Sequence, residues 1–293
     1  MEGIPAKIKD HTGKAKQQSC AAGTLKPDLI AKIATESLLA ELEAYPKPGM
    51  VSYVDNGSHS DMNAATFERS IEALTPYWTK LYTAGTQSLS LSVIRQTGID
   101  AESKMLEATN GINTHKGAIF AIGLLVTAAG MEQTSRAGKV VSKNWANKLL
   151  KPSEFTPLTN GSKFYRQHGI KGARGEAANG FPSIYECGLP AYRKALQVFT
   201  PQVAAIHSFY AMLEKVQDTT LLHRGGLDGL IYAKKCASAF NSAGGVFAHD
   251  WKKLAIQFHQ KFIKLNLSAG GVADLLAATI FLDKLEALQE NWK

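Results

Sequence analysis

The sequence predicts an all-α fold: a single-domain multi-helix bundle with a buried central helix and active-site loops at helix N-termini. Three observations point there. Apolar residues recur at helical spacing along most of the chain. Strand-like alternation is nearly absent. The stretch 117–130 is apolar on every side, as expected of a helix inside a core. With 293 residues, 45% of them hydrophobic, the chain is long enough to bury a sizeable core.

Residues 1–26 are polar and rich in Lys, Gln and Gly, and read as a flexible N-terminal tail. Residues 27–293 read as the catalytic helical domain. Pro27 and Asp28 open a helix carrying Leu29, Ile30, Ile33, Ser37, Leu38 and Leu42 at helical spacing, and Pro46 stops it. Phe67, Ser70, Ile71, Leu74, Trp78, Leu81 and Tyr82 mark a second helix. A third is expected over 100–109, closed by Asn110-Gly111. Beyond 117–130, helical patterns run over 139–150, 192–198, 203–215, 229–240, 247–265 and 271–289.

Composition removes several classes. Cys20, Cys187 and Cys236 lie far apart, with no chelating spacing and an odd count, so neither a disulfide framework nor a zinc site is expected. The apolar run 117–130 is short of the roughly 20 residues that span a bilayer. The first residues mix charges and lack an apolar signal core, so no membrane contact and a cytoplasmic location are expected. The net charge of +8 suits anionic partners. No dense basic block or recognition-helix pattern argues for nucleic acid.

The chemistry-bearing residues cluster in loops next to helix starts. Pro46-Lys47-Pro48-Gly49 fixes a lysine between two prolines, with Glu41 just before it and His59 and Asp61 downstream. The ordinary structural reading is a rigid turn with Asp61 as a cap. Asn113-Thr114-His115-Lys116-Gly117 delivers polar groups to the start of the buried helix, where unpaired N–H groups favour a phosphate. The plain alternative is Asn113 or Thr114 as an N-cap with Lys116 in solvent. In 169–177 and on to Gly180, glycines flank Arg174 and Glu176, which favours an anion-binding loop. Asp218 leads into His223-Arg224-Gly225-Gly226, and Gly270-Gly271 precedes Asp274. Each double glycine opens a helix, and Asp274 has its own structural explanation as a favourable charge in a first turn.

Six of these segments occur in order: Pro-Lys-Pro-Gly at 46–49, Gly-Ser-His-Ser-Asp-Met at 57–62, Asn-Thr-His-Lys-Gly at 113–117, Gly-Ala-Arg-Gly-Glu-Ala at 172–177, Arg-Gly-Gly at 224–226 and Gly-Gly-Val-Ala-Asp-Leu-Leu at 270–276. Together they resemble the triphosphoribosyl-dephospho-coenzyme-A synthase family over about 36–282. The resemblance implies that the 2'-hydroxyl of 3'-dephospho-coenzyme A attacks the ribose C1' of ATP and that adenine leaves. It implies ATP and 3'-dephospho-coenzyme A as substrates and Mg²⁺ as the metal. It also implies a product passed to a transferase that acts on an acyl carrier protein of citrate lyase or malonate decarboxylase. Ser52, Ala269 and Val272 depart from common family residues, and Ser52 with 55–59 looks closer to the malonate-decarboxylase branch.

Carried onto this chain, Lys47, Asn113, His115, Lys116, Arg174, Arg224 and Gly225, Gly226, Gly270 and Gly271 are expected to hold ATP. Glu41 and Asp218 are expected to hold Mg²⁺. Glu176, Asp274, His59 and Asp61 are expected to do the chemistry, with the division between acid and base open. The loops should meet in one cleft, because one triphosphate needs several cations at once. Two other readings use the same features: a Mg²⁺-dependent N-ribosyl hydrolase of the ADP-ribosyl hydrolase type, with water as nucleophile, and a non-catalytic helical scaffold for a carrier protein.

Overall fold

The computed structural model describes residues 25–151 and 170–290. Its described residues form eleven α-helices and no strand. They are α1 (Pro27–Glu43), α2 (Ala64–Thr86), α3 (Leu91–Ala108), α4 (Lys116–Met131), α5 (Ala137–Leu150), α6 (Gly172–Ala178), α7 (Leu189–Leu196), α8 (Pro201–Lys215), α9 (Thr219–Ser242), α10 (Trp251–Lys264) and α11 (Gly270–Glu290). A π-helical turn (Ser183–Gly188) feeds α7, and a 3₁₀ turn (Gly245–Phe247) precedes α10.

α4 is the buried centre. Every residue from Ala121 to Gly130 is buried, and the helix packs on α2, α5 and α11. Its crossing with α2 is close. A Cβ on Gly85 would lie 2.1 Å from the Thr127 carbonyl oxygen, and one on Gly130 would lie 2.4 Å from that of Tyr82. Fully buried Trp78, Tyr82, Leu38 and Phe281 fill the layers around it. Each such side chain contributes roughly 1.5–3 kcal/mol of burial.

Several boundaries differ from the sequence expectation. α3 starts at Leu91, earlier than 100, because only Ile94, Ala101 and Met105 are buried and its period is sparse. The glycine-rich segment around Arg174 is a helix, α6, where a loop was expected; Ala177 and Ala178 pack and outweigh its glycines. The pattern 247–265 divides into the 3₁₀ turn and α10. α9 begins at Thr219 and is broken at Gly226, whose φ of 61° and ψ of −160° leave helical space. Asn63 caps α2, accepting the Thr66 N–H at 3.0 Å; Asp61 does not. Leu25, placed in the expected tail, is buried, and its carbonyl accepts the Tyr82 hydroxyl at 3.0 Å. Residues 1–24, with Cys20, and Gly169 lie outside the described residues. Among the described residues Cys187 and Cys236 are free thiols.

Candidate active site

The segment between α1 and α2 folds back on itself and is clamped from afar. The Gly49 carbonyl accepts the Ser58 N–H at 3.0 Å. Gly49 has a φ of +70°, and a Cβ there would lie 2.1 Å from the Leu267 carbonyl oxygen, so this crossing requires glycine. His259 of α10 is buried against the same segment. Its Nδ1 lies 2.8 Å from the Lys47 carbonyl oxygen and 3.2 Å from the Gly49 nitrogen, and its Nε2 lies 2.9 Å from Asp55 Oδ1. The first is a bond that the ring donates and the second one that it accepts, so Nδ1 makes one or the other according to its protonation. Sequence reasoning passed over His259 and Asp55. The available signal was a polar ring in the buried stripe of Ala255, Phe258 and Phe262.

This clamped segment faces the starts of α4 and α11 across a cavity of ≈ 130 Å³. Of the residues expected to act, Glu41, His59, Asn113, His115, Lys116, Gly270 and Asp274 line it. They come from four separate stretches of chain.

Glu41 and Lys47 form a buried ion pair, Nζ to Oε1 at 2.6 Å, and the same ammonium donates to the Glu41 carbonyl. Burial pushes the Lys47 ammonium below its ordinary value, against the pull of Glu41. Asp274 lies over the first turn of α4. A Cβ on Gly117 would stand 2.0 Å from Asp274 Oδ2. Burial first, then the charges of Glu41 and Asp218, raise the Asp274 carboxyl well above the ordinary carboxylate range, against a hydrogen bond from the Ala118 N–H. Burial and its acidic neighbours thus favour the protonated form of Asp274 beside the Glu41–Lys47 pair.

Two expectations for helix N-termini change on this geometry. Asp218 Oδ1 accepts the N–H groups of Thr220 (2.7 Å) and Leu221 (3.0 Å). Its Oδ2 accepts Val272 N–H at 2.8 Å, and Gly271 N–H also bonds to the carboxylate. Asp218 thus caps α9 and α11 together. About four acceptor positions are available on a carboxylate, and all are used, so the metal role expected of Asp218 does not fit. Gly271 is closed by the same carboxylate, 3.0 Å from its Cβ position, so it does not offer the bare anion site expected of it. Ahead of α4, whose N-cap position is His115, Asn113 Oδ1 accepts the Lys116 N–H at 3.1 Å. The Lys116 ammonium pairs with Glu102 at the cavity rim.

His59 is held on both ring nitrogens. Arg224 Nη2 donates to Nδ1 at 3.1 Å, so Nε2 carries the proton and donates to Ser268 Oγ at 3.0 Å. Burial, then the Arg224 charge, lowers its pKa to about 4, so it is neutral. Arg224 also donates to the Ser58 carbonyl (2.9 Å) and to Asn266 Oδ1 (2.8 Å). It stands behind His59 and not in the cavity. Asp61 is exposed and lies 3.8 Å from His59.

Glu176, Arg174, Gly225 and Gly226 do not line the cavity. Glu176 accepts the N–H of Ser183 at 2.6 Å and its hydroxyl at 3.0 Å, which fixes the π-helical turn. Among the described residues Arg174 has no hydrogen-bonded or ion-paired partner. Its helix begins at Gly172, where a Cβ would lie 3.3 Å from Thr219 Cγ2 at the start of α9. The expected convergence therefore holds for the carboxylates Glu41 and Asp274 and the two histidines, while of the four cations only Lys116 reaches the cavity lining.

A helical bundle that gathers carboxylates, histidines and a lysine into one cleft has the features of an enzyme acting on a phosphorylated substrate. The family model CitG, ATP:dephospho-CoA triphosphoribosyl transferase, matches residues 27–293. The chain belongs to this family of transferases. A probable 2-(5''-triphosphoribosyl)-3'-dephosphocoenzyme-A synthase of Acinetobacter calcoaceticus is 35% identical over 273 residues, covering 89% of this chain and 91% of that protein. Proteins of the same printed name from Pseudomonas aeruginosa (35% identical; 92% and 96% covered) and Vibrio cholerae (33%; 97% and 98%) are similar over comparable lengths. No solved structure matches. No helix among the described residues is long and apolar enough to cross a membrane.

Proposed function

We propose that the chain transfers the triphosphoribosyl group of ATP to the 2'-hydroxyl of 3'-dephospho-coenzyme A, with release of adenine. The observation that carries this reading is the buried Asp274 carboxyl, set over the first turn of α4 beside the Glu41–Lys47 pair, in a cleft built from the family's own motif segments. Breaking the C1'–N bond needs a proton or hydrogen bond on the departing purine and negative charge near an oxocarbenium-like centre. Asp274 supplies the first.

Mg²⁺ usually keeps several waters and takes one or two protein carboxylates together with substrate phosphates. The donor set fits that mode. Glu41 lines the cleft, and its bond to Lys47 is made through Oε1. Glu41 is the residue that would hold the ion, which when bound neutralises part of the triphosphate charge. Lys116, by exchanging Glu102 for phosphate, and Arg174, whose guanidinium has no partner among the described residues, are the chain's own phosphate contacts.

Within this reading the product serves the malonate-decarboxylase branch, reaches a transferase acting on an acyl carrier protein, and is made in the cytoplasm. The reading of the branch rests on the sequence pattern of Ser52 with 55–59. The test is the mass of the product formed from ATP and dephospho-coenzyme A. The expected species is dephospho-coenzyme A plus triphosphoribose, with free adenine; an adenylylated or phosphorylated acceptor would refute the proposal.

A further inference from the structure

His115 is the one cavity-lining histidine with an unused ring nitrogen. It is 3% exposed, and its Nε2 has no hydrogen-bond partner among the described residues. Its other nitrogen, Nδ1, lies 2.6 Å from the hydroxyl of Ser70 on α2. Phe67, one turn earlier on α2, packs edge-on to the ring at 5.0 Å between centroids. The ring is thus fixed in orientation by α2, with Nδ1 taken and Nε2 left over. A buried polar atom without a partner costs about 1–3 kcal/mol, so this arrangement points to a ligand atom that completes it. His59, by contrast, has both nitrogens committed within the protein.

Resting on the transfer reaction proposed above, we infer that His115 Nε2 is the base that takes the proton of the attacking 2'-hydroxyl, and that Ser70 is its positioning residue. In this arrangement Nδ1–H donates to Ser70 Oγ, which leaves the Nε2 lone pair of this cavity-lining residue without a partner. The hydroxyl oxygen forms the new bond to C1' as the C1'–N bond of adenosine breaks with its electron pair on adenine. The hydroxyl proton moves to His115 Nε2, and Asp274 gives its proton to adenine. One proton then passes from the imidazolium to the Asp274 carboxylate, which restores both groups, so atoms and charge balance. Burial and the nearby Lys47 charge lower the His115 pKa to about 3, which keeps Nε2 free of a proton before substrate arrives.

The test is a double-mutant cycle on the full chain, with product mass and steady-state kinetics as readouts. Wild type is measured first; absence of the expected product there sinks the transfer reading and the inference with it. Given product, His115→Gln should cut kcat by about 10²–10⁴-fold, the worth of a positioned base. Ser70→Ala should cut it by about 10–100-fold, with KM for dephospho-coenzyme A little changed. In the double variant Ser70→Ala should add nothing, because Ser70 acts only through His115. Equal loss from Ser70→Ala in both backgrounds, or wild-type kcat in His115→Gln, overturns the inference. If Ser70→Ala does not fold, Ser70→Cys fills the same volume with a weaker hydrogen-bonding group, and the same two outcomes are read from it.

Discussion

At the scale of single residues, protonation states decide what the cleft can do. Burial and the charges of Glu41 and Asp218 raise the Asp274 carboxyl well above its ordinary range. A carboxyl with a raised pKa binds its proton more tightly in the folded than in the unfolded state. Its contribution to stability is therefore full below its ordinary value of 3.8 and is lost as pH rises through the folded pKa. Asp274→Asn should remove that penalty, raising Tm at neutral pH while cutting kcat by about 10²–10⁴-fold. A variant with normal turnover would take Asp274 out of the chemistry. His59 and His115 behave oppositely, with pKa values of about 4 and about 3 against an ordinary 6.5. As pH falls below 6.5 the unfolded chain takes up protons first, so stability present above that value is lost on the way down to about 4 and about 3. Tm followed from pH 7 to pH 4 should show a flatter acid slope in His115→Gln than in wild type. Identical slopes would show that His115 is not held neutral by the fold.

At the scale of elements, helix starts organise the site, and the chain supplies most of the anions that they attract. Asp274 sits on α4 and Asp218 joins the starts of α9 and α11. The contact between Gly117 and Asp274 is the tightest of these joints. Gly117→Ala would place a methyl group 2.0 Å from Asp274 Oδ2, so the carboxyl must move. The expected result is a folded protein with kcat reduced by at least about tenfold, roughly 1.4 kcal/mol of misplacement. Full activity in this variant would mean that the position of Asp274 over α4 does not matter. The clamp of His259 on Lys47, Gly49 and Asp55 acts at the same scale, since it seats the segment that carries both Lys47 and His59.

At the scale of the whole molecule, the fold was legible where burial wrote a simple pattern. α4 is apolar all round and α1 and α2 carry full apolar stripes, so their positions agree with the sequence expectation. α3 was misplaced because few of its residues are buried, and the turn before α10 because it is only three residues long. The cleft was legible through polar residues in the loops before helices, such as His59, Asn113 and His115. Ser70 and His259 were not, because each sits within a helical period and gains its role only from a partner 45 or about two hundred positions away. Asp218 and Glu176 carry the residue type of a ligand or base but are spent on backbone N–H groups, a distinction that only three-dimensional contact reveals.

The central claim is that this cleft moves a triphosphoribosyl group to a hydroxyl acceptor and not to water. Adenine release from ATP, followed with and without dephospho-coenzyme A, tests it most directly. The account predicts that release depends on the acceptor and yields one adenine for each molecule of product. Adenine released at the same rate without the acceptor would contradict it and would make the protein an N-ribosyl hydrolase.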